Sequence, residues 1–236
     1  VHLFTRDCSL QRKYQKIVEE APALNIDNQK LEEIQNLSVE ACKKLNYEGA
    51  GTIEFLYENN DFYFIEMNTR LQVEHPVTEA TTGIDIVAEQ FKIASGESIE
   101  AMVPQEIGYA IEARINAERA SIDAMGQVTF QPTPGRITRC ELPEREGITL
   151  ISMAAADKMV SPFYDSLIIQ VIAEGSDRND AVANLASYLD DVVIEGINTN
   201  IALIKRILRD EVFLGGDYDT TYLPGFLGRT DVHSLI

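Results

Sequence analysis

Cysteine is scarce and poorly placed for cross-linking: Cys8, Cys42 and Cys140 are odd in number, widely separated and outside any CxxC spacing. That argues against a disulfide framework or a thiolate zinc site. It fits a reducing compartment, the cytoplasm or, in a eukaryote, the mitochondrial matrix. Positive charge is also short, with 20 lysines and arginines against 38 aspartates and glutamates, a net charge of −18. Such a surface repels a phosphate backbone, so nucleic acid is not an expected partner, although local arginines can still bind small anions. No apolar run approaches the roughly 18 residues that cross a bilayer. No basic stretch followed by an apolar one opens the chain either, so no membrane partner is expected. Internal repeats and low-complexity tracts are missing. The chain starts at Val1 without Met, in sequence that already reads as ordered, and is expected to be a fragment.

What is present suits a globular protein. Hydrophobic residues make up 45% and charged residues 25% of 236 positions, enough for one large or two modest domains with a substantial core. After the polar, basic stretch Arg6–Lys16 and a break at Pro22, Asn25–Asn46 reads as an amphipathic helix. Its apolar positions Leu31, Ile34, Leu37, Ala41 and Leu45 step by three and four, and Asp27 is the expected N-cap. The period then switches. Thr52–Tyr57 and Phe62–Met67 are β-branched and aromatic, separated by Glu58-Asn59-Asn60-Asp61, which signals a hairpin. A second helix is expected over Ile84–Ala94, stopped by Gly96.

Composition loosens over Gly96–Gln105, around Pro104, which places a boundary between residues 1–103 and 104–225, with 226–236 as a tail. Beyond it, Tyr109–Ile115, Arg136–Leu142 and Leu167–Ala173 carry strand-like content, Arg119–Gln127 reads as a mobile connection, and helices are expected over Arg178–Val193 and Thr199–Arg209. Strands first and helices later indicate an α+β fold.

The hairpin carries the chemistry. If Glu58 pairs with Phe62 across a three-residue loop, Glu54 stands opposite Glu66, and Asn68 shares their face because side chains alternate along a strand. Two carboxylates about 5 Å apart repel each other, and apolar flanks make their charge costlier. A hard divalent cation relieves this; two carboxylates and an amide oxygen suit Mg²⁺ or Mn²⁺, which takes its remaining ligands from water and phosphate. The plain alternative is an edge strand whose glutamates face solvent. Asn68, Arg70, Gln72 and Glu74 continue one even-numbered polar series, which favours a site.

Phe64-Ile-Glu66-Met-Asn68-Thr-Arg70-Leu resembles a signature shared by ATP-grasp carboxylases and carbamoyl-phosphate synthetases. The continuation Gln72-Val73-Glu74-His75-Pro76-Val77-Thr78-Glu79 resembles the biotin carboxylases in particular. Further similar blocks run in family order from Arg6-Asp-Cys-Ser-Leu-Gln-Arg12 through Glu112-Ala-Arg114-Ile-Asn-Ala-Glu118 and Pro162-Phe-Tyr-Asp-Ser166 to Gly196-Ile-Asn-Thr-Asn200. The resemblance implies the C-terminal part of an ATP-grasp domain, an antiparallel sheet with helices, followed by the biotin carboxylase C-terminal α+β domain. It implies Glu54, Glu66 and Asn68 as metal ligands. Gln11, Lys16, Leu56, Glu54 and Glu66 are implied at ATP, and Arg70, Gln72, Val73 and Lys16 at bicarbonate. Glu74 is the implied general base and Arg114 the cation facing the biotin enolate, with Arg70 beside them in catalysis. His75 is expected only to fix the turn before Pro76.

The implied reaction joins bicarbonate to ATP through carboxyphosphate and carboxylates biotin, the carrier-bound substrate. The implied partners are a biotin carboxyl carrier, a carboxyltransferase and a second copy of the full-length chain. Three features depart from the family pattern: a long segment after Glu118, the run Ile151–Met159 without the usual glycine and acidic residues, and Tyr14 in place of histidine or asparagine. The family's N-terminal domain and phosphate-covering lid lie upstream of Val1, so the isolated chain is expected to bind ATP poorly and turn over little. The competing readings are another ATP-grasp ligase, against which Gln72-Val73-Glu74-His75 speaks, and a non-catalytic assembly module, against which the clustered charge speaks.

Overall fold

The computed structural model describes residues 1–12, 15–122 and 128–230. Tyr14, the tip of the Arg119–Gln127 segment and the end of the expected tail lie outside them. In chain order, β1 (Gln11–Arg12), β2 (Gln15–Lys16) and β3 (Val18–Ala21) precede the long helix α1 (Asn28–Lys44). Asp27 caps α1 as expected, accepting from the backbone N–H of Gln29 and Lys30 at 3.1 and 3.0 Å. No residue of α1 is buried, and its apolar stripe reaches solvent at Leu37 and Leu45.

The hairpin follows as β4 (Thr52–Glu58) and β5 (Asp61–Asn68). Its loop has two residues rather than three: Glu58 pairs with Asp61, and Asn59 and Asn60 take φ of 52° and 65°. Two successive positive φ values suit asparagine and match the strand twist. One residue of register is thereby lost at the turn and restored at a bulge, where Glu54 pairs with Glu66 but Phe55 pairs with Phe64, leaving Ile65 extra. The expected carboxylate pair forms, by a different path.

The helix expected over Ile84–Ala94 forms two residues shorter, and an unexpected helix precedes it. α2 (His75–Thr82) ends at Gly83, at φ 67°, and α3 (Ile86–Ala94) starts at Asp85, whose side chain accepts from Ala88 N–H at 2.7 Å. Pro76 and three threonines gave α2 no helical signal. Its stability is tertiary: Pro76, Val77, Thr78, Thr81 and Thr82 are buried, and Thr82 Oγ1 donates back to Thr78 O at 2.7 Å.

The remaining elements are β6 (Tyr109–Asn116), β7 (Glu118–Ile122), β8 (Val128–Pro132), β9 (Gly135–Arg136), β10 (Arg139–Glu141), β11 (Ile148–Ser152), β12 (Met159–Val160), β13 (Leu167–Gly175), α4 (Arg178–Asp191), β14 (Val193–Glu195), α5 (Ile201–Ile207), α6 (Glu211–Gly215) and α7 (Tyr222–Arg229). Two expectations are corrected. Arg119–Ile122 is strand, paired with Val128–Gln131, because Ser121, Thr129 and buried Ala120 and Phe130 make a proper ribbon. Arg136–Leu142 is two short strands with different partners, β12 and β14. No helix among the described residues is long and apolar enough to cross a membrane.

One four-stranded antiparallel sheet, in the order β11-β13-β6-β3, organises the molecule. Its edge strand β3 precedes Pro104 and the other three strands follow it, so the sheet draws on both sides of the expected boundary. One face carries Ile111, Ala113, Ile115, Ile169, Val171 and Ala173 against Ala181, Leu185 and Tyr188 of α4, all buried. On the other face, Ala21, Ala110 and Ile172 pack under Val77 of α2. Further along, that second face turns polar, with Glu19, Glu112, Arg114 and Gln170.

Candidate active site

The polar end of the sheet and the open end of the hairpin meet at residues 68–74. Glu54 Oε1 is the junction. It accepts from Asn68 Nδ2 at 3.1 Å, from Gln72 Nε2 at 2.9 Å and from Lys16 Nζ at 3.2 Å. Asn68 Nδ2 also lies 3.1 Å from Glu66 Oε1, so one oxygen of each carboxylate converges on a single atom. A half-turn of the amide puts its oxygen there, which fits a hard cation. Among the described residues, no three His, Cys, Asp or Glu side chains gather to hold a metal. The set is therefore two carboxylates and an amide, leaving coordination positions for water and phosphate oxygens.

Glu74 occupies the N-cap position of α2 without a side-chain capping hydrogen bond, and is 4% exposed. Its two oxygens have different cations: Oε1 accepts from Lys16 and Oε2 from Arg114. Burial pushes the Glu74 carboxyl up, but Lys16 and Arg114 outweigh it and hold it below the usual carboxylate range. Burial likewise works against a charged Lys16, yet Glu19, Cys8 and Glu74 around it raise its affinity for the proton, and of these Glu74 is the one ionised at neutral pH. Both groups are thus held charged although little water reaches them.

Arg70 is exposed. Its guanidinium reaches only Leu71 O at 3.3 Å and Asn68 Oδ1 at 3.4 Å, and among the described residues no carboxylate lies within ion-pair distance of it. A planar cation without a carboxylate beside a metal-type cluster is available to an oxyanion. Gln72 is buried and held at both ends, donating to Glu54 and accepting from Arg6. Val73 turns its side chain to solvent, and its carbonyl accepts from Gln170 Nε2 at 2.7 Å. His75 Nδ1 lies 2.8 Å from Gln72 O, which closes the turn before Pro76 as expected. The structure therefore gathers Lys16, Glu54, Glu66, Asn68, Gln72, Glu74 and Arg114 in one hydrogen-bonded cluster. Gln11 faces Lys16 across the β1–β2 pair, and Leu56 stands two residues along β4 from Glu54; neither joins the cluster.

A family model described as carbamoyl-phosphate synthase L chain, ATP binding domain, matches residues 1–102, and one described as biotin carboxylase C-terminal domain matches residues 112–225. The chain belongs to the biotin carboxylase family. The biotin carboxylases of Pseudomonas aeruginosa and Allochromatium vinosum are 46% and 48% identical to it over 230 residues, 97% of this chain and 50% of each relative. Among solved structures, the biotin carboxylase domain dimer of Hydrogenobacter thermophilus 2-oxoglutarate carboxylase, in complex with MgADP, ADP and bicarbonate, superposes with a TM-score of 0.87 at 41% identity. That match covers 94% of this chain and 49% of the other. The chain thus spans about half the length of these relatives.

Around the cluster, four supporting residues escaped sequence reasoning. Arg6 donates to Gln72, to Thr78 Oγ1 at 2.9 Å and to Glu19 Oε1 at 2.9 Å, joining β3, α2 and the site loop. Glu112 Oε1 lies 3.4 Å from Arg114 Nε and accepts from Gln170 Nε2 at 3.2 Å. The signals were faint: Glu112 and Arg114 two apart in one strand, Glu19 beside a proline break, and a lone amide at Gln170 in an apolar run.

Proposed function

We propose that this chain supplies the metal-holding, bicarbonate-binding and biotin-facing half of a biotin carboxylase, working with a further half of the length its relatives carry. The observation that carries this reading is Glu74, bridged between Lys16 on the hairpin side and Arg114 on the sheet side.

Mg²⁺ would be held by Glu54, Glu66 and the Asn68 amide oxygen, and when bound it neutralises charge on the ATP phosphates. Arg70, Gln72 and the Val73 backbone receive bicarbonate. The guanidinium matches a planar oxyanion with two parallel hydrogen bonds. Lys16 lies between the Glu54 and Glu74 carboxylates and binds the phosphate end, with Gln11 and Leu56 lining the nucleotide. Glu74, kept ionised by its two cations, removes the bicarbonate proton. The freed oxygen attacks the γ-phosphorus, the bond to the bridging oxygen breaks, and ADP leaves with carboxyphosphate formed. Carboxyphosphate splits to CO₂ and phosphate, and the phosphate takes the N1 proton of biotin. Arg114 faces the ureido oxygen as negative charge develops there, and N1 attacks CO₂. A biotin carboxyl carrier brings the substrate, a carboxyltransferase receives the product, and the complete protein pairs as a homodimer.

The test is bicarbonate-dependent ATP hydrolysis with free biotin in the complete carboxylase. Glu74→Gln should lower kcat by about 10²- to 10⁴-fold, the usual contribution of a general base, while the KM for ATP stays close to that of the parent. Undiminished carboxylation by Glu74→Gln would sink the assignment.

A further inference from the structure

The face of the central sheet beneath the site reads the loop residue by residue. Glu19 of β3 stands directly opposite Glu112 of β6, and Arg114 of β6 directly opposite Gln170 of β13, so all four share one face. Each of three consecutive loop residues has its own side-chain support. Gln72 is held by Arg6, which Glu19 holds in turn; Glu74 is held by Arg114; and Val73 is held through its carbonyl by Gln170.

We infer that Gln170 is a positioning residue for the bicarbonate pocket. This rests on the carboxylase reading above and deepens it. The Gln170 side chain is 7% exposed, and both amide hydrogens are used, one on Val73 O at 2.7 Å and one on Glu112 Oε1 at 3.2 Å. In a planar trans peptide the C=O and the following N–H point opposite ways. Pinning Val73 O to the sheet therefore aims the Glu74 N–H away from it and sets the start of α2. The same Glu112 oxygen lies 3.4 Å from Arg114 Nε, within ion-pair distance but without hydrogen-bond geometry. One amide thus couples the peptide that presents Val73 and Glu74 to the arginine that faces biotin. Val73's own side chain, 43% exposed, contributes no anchor, so the loop has no apolar substitute for this hydrogen bond.

The test compares Gln170→Met, an apolar side chain of similar length, with Gln170→Asn, which is one methylene too short, and with Gln170→Lys. The lysine keeps a donor within reach of Val73 O and Glu112 Oε1. In the complete carboxylase, Gln170→Met and Gln170→Asn should each raise the KM for bicarbonate about tenfold, the effect of one buried hydrogen bond lost, with the KM for ATP unchanged. Gln170→Lys should restore most of it. On the same proteins, amide hydrogen exchange over residues 72–76 should quicken in the Met and Asn variants and stay slow in the Lys variant. An equal rise in both KM values, or unaltered exchange in both the Met and Asn variants, would overturn the positioning role. Altered exchange in a protein that lacks bicarbonate-dependent ATP hydrolysis altogether would overturn the carboxylase reading and leave the positioning role standing.

Discussion

Glu19 and Glu112 stand directly opposite each other on β3 and β6, both buried, and each leaves one carboxylate oxygen without a hydrogen-bond partner. Burial pushes the Glu19 carboxyl up to about 8, against the pull of Arg6 and Lys16, and the Glu112 carboxyl up to about 7, against Arg114. Burial, with the Glu74 charge near both, favours the protonated form of each, which spares the sheet two buried charges side by side.

A pH dependence of stability follows. Both values are raised above the unfolded reference of about 4.3, so the folded chain binds more protons than the unfolded chain between those limits. The stability contributed is complete below the unfolded value and is lost as pH rises through 7 to 8. Glu19→Gln and Glu112→Gln remain neutral throughout. Thermal melts between about pH 5 and pH 8 should show a shallower decline in the double variant than in the parent; identical slopes would refute the raised values.

Metal affinity should track the hairpin. Glu66→Gln removes one of the two converging carboxylates and is expected to raise the Mg²⁺ concentration for half-maximal nucleotide binding at least about tenfold. Titration of nucleotide binding against Mg²⁺ reads this directly. Glu54→Gln should do at least as much, since Glu54 Oε1 also holds Lys16, Asn68 and Gln72.

Asn200 supports Arg114 from behind. Its Oδ1 accepts from Asn116 N–H at 2.7 Å and its Nδ2 donates to Arg114 O at 2.9 Å, with the residue 3% exposed. Asn200→Ala strands two buried backbone groups and should cost about 2–4 kcal/mol in denaturant melts. A cost under about 1 kcal/mol would mean that water replaces the amide.

The first and last thirds of the chain are clamped at Glu20. That buried carboxylate accepts from Arg178 at 2.7 and 2.9 Å, from Tyr109 at 2.5 Å and from Tyr218 at 2.7 Å. Arg178→Met leaves the charge without its cation and is expected to cost about 3–5 kcal/mol, measurable by chemical denaturation. The paired change Glu20→Leu with Arg178→Met should recover part of that loss.

Local regularities made much of this readable in advance. The Asp27 cap, α1, the hairpin strands, α4 and the α+β class all follow from periodicity and cap chemistry within a few residues of one another. The Glu54–Glu66 pair was legible for a subtler reason. The loop is one residue shorter than expected and the bulge at Ile65 adds one back, so two offsetting differences leave the pair in place. β3 was not legible, because Glu19-Glu20 beside Pro22 reads as solvated chain. The cations that permit burial are Arg6 and Arg178, 13 residues from Glu19 and 158 from Glu20.

By itself, then, the sequence determined α1, the hairpin strands, α4 and the face that two carboxylates and an amide share on the hairpin, since alternation along a strand is a property of the backbone. Only the tertiary structure decided what holds Gln72, Val73 and Glu74. Their supports, Arg6, Gln170, Lys16 and Arg114, come from segments up to 97 residues away, joined across one sheet face. Buried polar groups must find partners wherever the fold places them, and no local pattern along the chain records which partners those are.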